Sequence, residues 1–135
     1  MMRLRHIAVG IGCLVLLLGA CGDDDDDDGG ASIEATASEF QFDPDSWTVE
    51  AGSPFSIEFR NDGTTDHEWA VINVGDDLES EEDFAEDKVL LEVEAIPAGE
   101  STTEEFTIDD AGTYQVICAL EGHFDAGMEG TLTVE

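Results

Sequence analysis

The 135-residue chain carries 34 Asp and Glu against four Lys and Arg, a formal net charge of −30. That length is one domain's worth, and so large a negative charge would repel phosphate backbones, which excludes nucleic acid as a partner. The acidic residues lie along the whole chain rather than in one patch, and lysine is almost absent. This favours adaptation to a salty habitat over a field that steers basic partners, because at molar salt the Debye length is only about 3 Å.

The N-terminal stretch MMRLRHIAVGIGCLVLLLGAC has a basic start at Arg3 and Arg5 and then an apolar run too short for a comfortable membrane span. It reads as a secretory signal over residues 1–20. Its end, Leu18-Gly19-Ala20-Cys21, resembles a bacterial lipoprotein box, in which cleavage leaves Cys21 as a lipidated first residue. Residues 21–31 then contain six consecutive aspartates, which repel one another and form a solvated tether. At about 3.3 Å per residue such a tether lifts the domain roughly 30 Å off a bilayer. Residues 32–135 form the domain itself, placed outside the cytoplasm and held at a membrane through Cys21.

From Ser32 onward the signals are those of a β protein. Ser32 to Phe42 alternates with interruptions, Pro44 marks a turn, and Trp47 and Val49 alternate up to Ala51-Gly52. Phe55, Ile57 and Phe59 then alternate with Ser56, Glu58 and Arg60 in a clean period of two. Asn61-Asp62-Gly63 is a turn signal, and His67 to Val74 reads as the next strand, with His67, Trp69 and Val71 on one face. Ser80 followed by Glu81, Glu82 and Asp83 predicts a short surface helix within the acidic stretch 75–88, on a solvated face. Leu90 to Ile96, Thr102 to Ile108, Thr113 to Cys118 and Gly130 to Val134 complete the strands. The whole predicts an all-β fold, a two-layer antiparallel Greek-key sandwich with one short surface helix. Trp47, Trp69, Phe40, Phe55 and Phe59 read as core.

Scarcity points to the chemistry. Beyond the leader there are two histidines, His67 and His123, and one methionine, Met128. Cys118, His123 and Met128 are spaced Cys-x4-His-x4-Met. An unpaired cysteine outside the cell is an oxidation liability, and with Cys21 taken by lipid Cys118 has no partner for a disulfide. Metal ligation explains its presence. Two imidazoles, one thiolate and one thioether match a trigonal His2Cys copper site with a weak axial Met, whereas a thioether is a poor zinc ligand. Gly122, Ala126 and Gly127 let the loop curl so that His123 and Met128 face the point where Cys118 ends its strand. His67 would reach it from another strand and clamp the sheets together.

The stretches FQFDPDSWTVEAGSPFSIEFRN (40–61), HEWAV (67–71), IPAGESTTEEFTIDDAG (96–112) and GTYQVICALEGHFDAGMEGTLTVE (112–135) resemble the cupredoxins, the plastocyanin/azurin superfamily of small blue-copper proteins. The ligand-loop spacing is most similar to rusticyanin- and sulfocyanin-type members. By position the resemblance implies that His67, Cys118 and His123 are the strong ligands of one copper ion cycling between Cu(I) and Cu(II), with Met128 axial. It implies a one-electron carrier rather than an enzyme, monomeric, serving a redox donor and acceptor such as a cytochrome, oxidase or reductase. The other reading is a copper scavenger or chaperone without redox duty. His123 would be the electron port, set in an apolar collar of Phe124, Ala119, Leu120, Ala126 and Gly127. The chain departs from the family in two places. Glu68 stands where many members have an Asn or Ser that ties the ligand loops together. Asp66 precedes His67 where azurins have a ligating glycine carbonyl, so four ligands are expected rather than five.

Overall fold

The computed structural model describes residues 30–135; the expected leader, Cys21 and the aspartate run lie outside them. The first strand opens at Ala31, one residue before the expected domain start. Among the described residues no helix is long and apolar enough to cross a membrane.

Among the described residues, nine strands form two sheets. In chain order they are β1 (Ala31–Ser38), β2 (Gln41–Asp43), β3 (Ser46–Val49), β4 (Pro54–Asn61), β5 (His67–Ile72), β6 (Val89–Ile96), β7 (Ser101–Thr107), β8 (Gly112–Ile117) and β9 (Glu129–Val134). One sheet has the order β2-β1-β4-β7 and the other β3-β9-β8-β5-β6. The period-two residues meet between them: Phe55, Ile57 and Phe59 from β4 pack with Trp47, Trp69, Val71, Val93, Val116 and Leu132 in one buried cluster. Trp47 also ties the sheets together through its indole N–H, which donates to the Glu34 carbonyl at 2.8 Å.

The two-layer sandwich is as expected, but its sheets are mixed rather than antiparallel. β1 runs parallel to β4, and β3 runs parallel to β9. The alternation of apolar residues tells which face of a strand is buried and nothing about the direction of its neighbour, so these pairings were not readable.

The expected surface helix is replaced by two 3-10 turns, Glu81–Asp83 and Glu86–Lys88. The start signal is real, since the Ser80 N–H donates to Asp83 Oδ2 at 3.2 Å. It is not followed by apolar residues at helical spacing, and five carboxylates lie within seven residues, so the turn does not propagate. The segment is instead pinned to β8. The Gln115 side-chain amide accepts from Leu78 N–H at 2.8 Å and donates to Leu78 C=O at 3.0 Å. Leu78 thereby joins Ala70, Ile72, Ile117 and Phe124 in a second cluster on the outer face of the larger sheet. This cover explains why β5 is buried on both faces and reads HEWAVI, nearly continuous in apolar residues.

Candidate metal centre

Three chain segments converge at one end of the sandwich. His67 is the first residue of β5 and is fully buried. Cys118 directly follows β8 and is also fully buried, and it is the free cysteine among the described residues. Between it and β9 the chain runs through consecutive turns, with the His123 N–H donating to Leu120 C=O at 3.0 Å and Gly127 N–H to Phe124 C=O at 2.8 Å. Gly122 and Gly127 hold φ values of 85° and 104°, a region that residues with a Cβ rarely enter, and these two bends fold the loop back on itself. The loop is closed by Cys118 N–H to Met128 C=O at 3.3 Å and Met128 N–H to His123 C=O at 3.1 Å.

The result brings one donor atom from each of His67, Cys118 and His123 to within 4.8 Å of one another. Cys118 Sγ lies 3.3 Å from His123 Nδ1, and the two imidazole centroids are 4.9 Å apart. Met128 is fully buried in the same inter-sheet cluster as Cys118.

These residues suit a soft, positively charged guest. Neither ring nitrogen of His67 has a hydrogen-bond partner, although the residue is fully buried. Buried polar atoms are rarely left unpaired without a reason. Burial pushes the Cys118 thiol up to about 11, because a thiolate there loses its hydration. Burial, and then the neighbouring His67, lowers the pKa of His123, which favours a neutral imidazole with a free lone pair. A thiol that resists ionisation beside two imidazoles is a site in which a bound cation supplies the missing positive charge.

Glu68 keeps the linking role expected of an Asn or Ser at its position. Its backbone N–H points at Cys118 Sγ, 3.5 Å away, and its carboxylate accepts from Ala119 N–H at 2.8 Å. Desolvation raises the pKa of this carboxyl, opposed by the Ala119 N–H.

The expected apolar collar needs correction. His123 is partly exposed, Ala119 and Leu120 are half-buried, and Ala126 and Gly127 are exposed. Phe124, however, is only 7% exposed and belongs to the second cluster with Leu78 and Ile117. It faces away from solvent because the 75–88 segment covers it. The exposed ring beside His123 is Phe40, read from sequence as core. Phe40 is 40% exposed and sits edge-on to His123 with centroids 5.1 Å apart. It lies in the turn between β1 and β2, where strand alternation no longer fixes which way a side chain points.

Two further residues at the site were not singled out from sequence. Asn61 is fully buried; its side-chain N–H2 donates to Thr65 C=O at 2.8 Å and Ile96 C=O at 2.9 Å, and its Oδ1 accepts from Gly63 N–H at 2.9 Å. The Asn-Asp-Gly turn signal marked the place without revealing this reach across to β6. Glu39, in the β1–β2 turn, accepts from the Thr64 and Thr65 N–H groups, and its pKa is lowered to about 2 chiefly by the Thr64 bond.

Residues 10–134 match the family model described as a cupredoxin-like domain. The chain is 29% identical over 118 residues to auracyanin-B of Chloroflexus aurantiacus, covering 76% of this chain and 50% of that protein. It thus spans about half the length of the curated relative it matches. Among solved structures, auracyanin A, a "blue" copper protein from the same bacterium, superposes with a TM-score of 0.67 at 28% identity, covering 79% of this chain and all of that one. A dithionite-reduced auracyanin from the photosynthetic bacterium Roseiflexus castenholzii gives 0.69 at 24% identity, covering 79% and 98%, a likeness of fold.

Proposed function

Because the chain belongs to the cupredoxin-like domain family, we propose that it is a one-electron carrier in which His67, Cys118 and His123 would hold a single copper ion, with Met128 as a weak fourth ligand. The observation that carries this reading is the convergence of three donor atoms within 4.8 Å at the end of the sandwich, two of them on fully buried residues. Copper bound there supplies a Cu(I)/Cu(II) couple, and such a donor set suits that couple.

The protein's own part is to keep the donors nearly still. His67 is fixed at the start of a strand and Cys118 at the end of one, while the ligand loop closes through its own backbone. Ligands held before the metal changes charge have little to rearrange. The partly exposed His123 edge, with Phe40, Leu120, Ala126 and Gly127 around it, is the proposed exit for the electron. A scavenger would present exchangeable ligands, and the burial of His67 and Cys118 argues against that duty. Among the described residues there is a single thiol, whereas a cysteine-bridged dinuclear copper centre of the oxidase kind needs two.

The proposed setting is the outer face of a membrane. Cys21 would be the lipidated residue after removal of residues 1–20, and residues 21–31 the tether to the carrier domain. Labelling cells with a radioactive fatty acid tests the anchor: the protein should take up label and Cys21→Ala should not. The carrier role is tested by voltammetry of the copper-loaded protein. One reversible electron per chain, with copper retained against a weak chelator, is expected; rapid loss of copper to the chelator would favour the scavenger.

A further inference from the structure

Glu39 is remote in sequence from the three donors yet lies against one of them. Its Oε1 is 3.4 Å from His67 Nε2, a nitrogen with no hydrogen-bond partner on a fully buried ring. The same oxygen is held by the loop that leads into His67: it accepts from the Thr64 and Thr65 N–H groups and from the Thr64 hydroxyl at 3.2 Å. The carboxylate is therefore placed by the backbone and not by the imidazole. The space between the two is kept open by Gly63, where a Cβ would come within 2.6 Å of Glu39 Oε1 and 2.7 Å of His67 Nε2. Because β1 and β5 belong to different sheets, Glu39 reaches from one layer to the ligand of the other.

We propose that Glu39 is a positioning residue of the metal centre, whose carboxylate keeps the proton of His67 on Nε2 and leaves Nδ1 as the nitrogen that binds the metal. The inference rests on the copper reading above. Metal-ligating histidines commonly place their second nitrogen against a carboxylate or carbonyl, which fixes tautomer and ring orientation and strengthens the ligand. A full negative charge behind His67 also stabilises the more highly charged Cu(II) state relative to Cu(I).

The test uses two readouts, one of which needs no copper. In the metal-free protein, long-range proton–nitrogen NMR should find His67 in the Nε2–H form, and in Glu39→Ala a mixture with the Nδ1–H form. In the copper-loaded protein, Glu39→Gln keeps an oxygen for the Thr64 and Thr65 amides but loses the charge. The ratio of Cu(II) to Cu(I) affinity should then fall about tenfold, a rise of about 59 mV for one electron, with the unfolding midpoint of the metal-free protein unchanged. Gly63→Ala, which puts a methyl group between the two side chains, should shift the potential in the same direction. A wild-type His67 already in the Nδ1–H form, or a tautomer balance the same in Glu39→Ala, would overturn the proposal whether or not copper binds. A potential unmoved in Glu39→Gln, with only the unfolding midpoint lowered, would reduce Glu39 to a loop anchor. Failure of the wild type to take up copper overturns the copper reading instead and is seen separately.

Discussion

The two arms of the site are held by opposite means. The His67 arm is fastened by polar side chains: buried Asn61 gathers the turn and β6, and exposed Glu39 gathers the Thr64–Thr65 backbone. The loop arm from Cys118 to Met128 is fastened largely by an apolar anchor, Phe124 in the outer cluster, and from outside by Glu81. Glu81 N–H donates to Asp125 Oδ1 at 2.9 Å while its carboxylate accepts from Gly122 N–H at 2.9 Å. The difference follows from position. His67 enters the space between the sheets directly from an exposed turn, which polar side chains pin in place, whereas the ligand loop lies at the rim and is pressed down by the outer cluster.

This contrast can be broken at either arm. The largest effect should come from the apolar anchor: Phe124→Ala removes a nearly buried ring and should cost about 3–5 kcal/mol in denaturant unfolding. A loss under 1 kcal/mol would mean that the loop does not depend on the outer cluster. Next is Asn61→Ala, which leaves the carbonyls of Thr65 and Ile96 without their partner inside the protein and should cost about 2–3 kcal/mol by the same measurement. If Asn61→Ala is as stable as the wild type, the polar fastening of the His67 arm is not what holds it.

How much of this the sequence carried differs between the arms. The loop arm was legible, because Cys118, His123 and Met128 lie close together and two glycines flank the bends. The parallel pairings of β1 with β4 and of β3 with β9 were not, since alternation is silent on strand direction. Phe40 and Phe124 were exchanged for a physical reason: one sits in a turn and swings out, the other is roofed by a segment that looked like solvated surface. Glu39 left no trace in the sequence, because its role depends on a turn that brings residue 39 beside residues 63–67. Glu68 was noticed only through the family resemblance, and its carboxylate still serves as the link to Ala119.

Smaller changes sharpen the contrast. Glu81→Ala removes a clasp at the rim and should cost about 1 kcal/mol, while hydrogen exchange quickens at the Gly122 amide and not at Thr65. Equal quickening at both would show that the arms are not independently held. Phe40→Ser touches neither fastening and should change stability by no more than about 0.5 kcal/mol. Its expected effect is a slower electron self-exchange in the copper-loaded protein, measured by NMR line broadening; an unchanged rate would remove Phe40 from the exit surface.

The central claim is that these donors form one copper site. Titrating the purified metal-free protein with Cu(II) while recording its visible spectrum tests this directly. The account predicts an intense thiolate-to-copper absorption that saturates at one ion per chain, bleaches on reduction and is lost in Cys118→Ser. A colourless complex, or a spectrum that Cys118→Ser leaves intact, would contradict it.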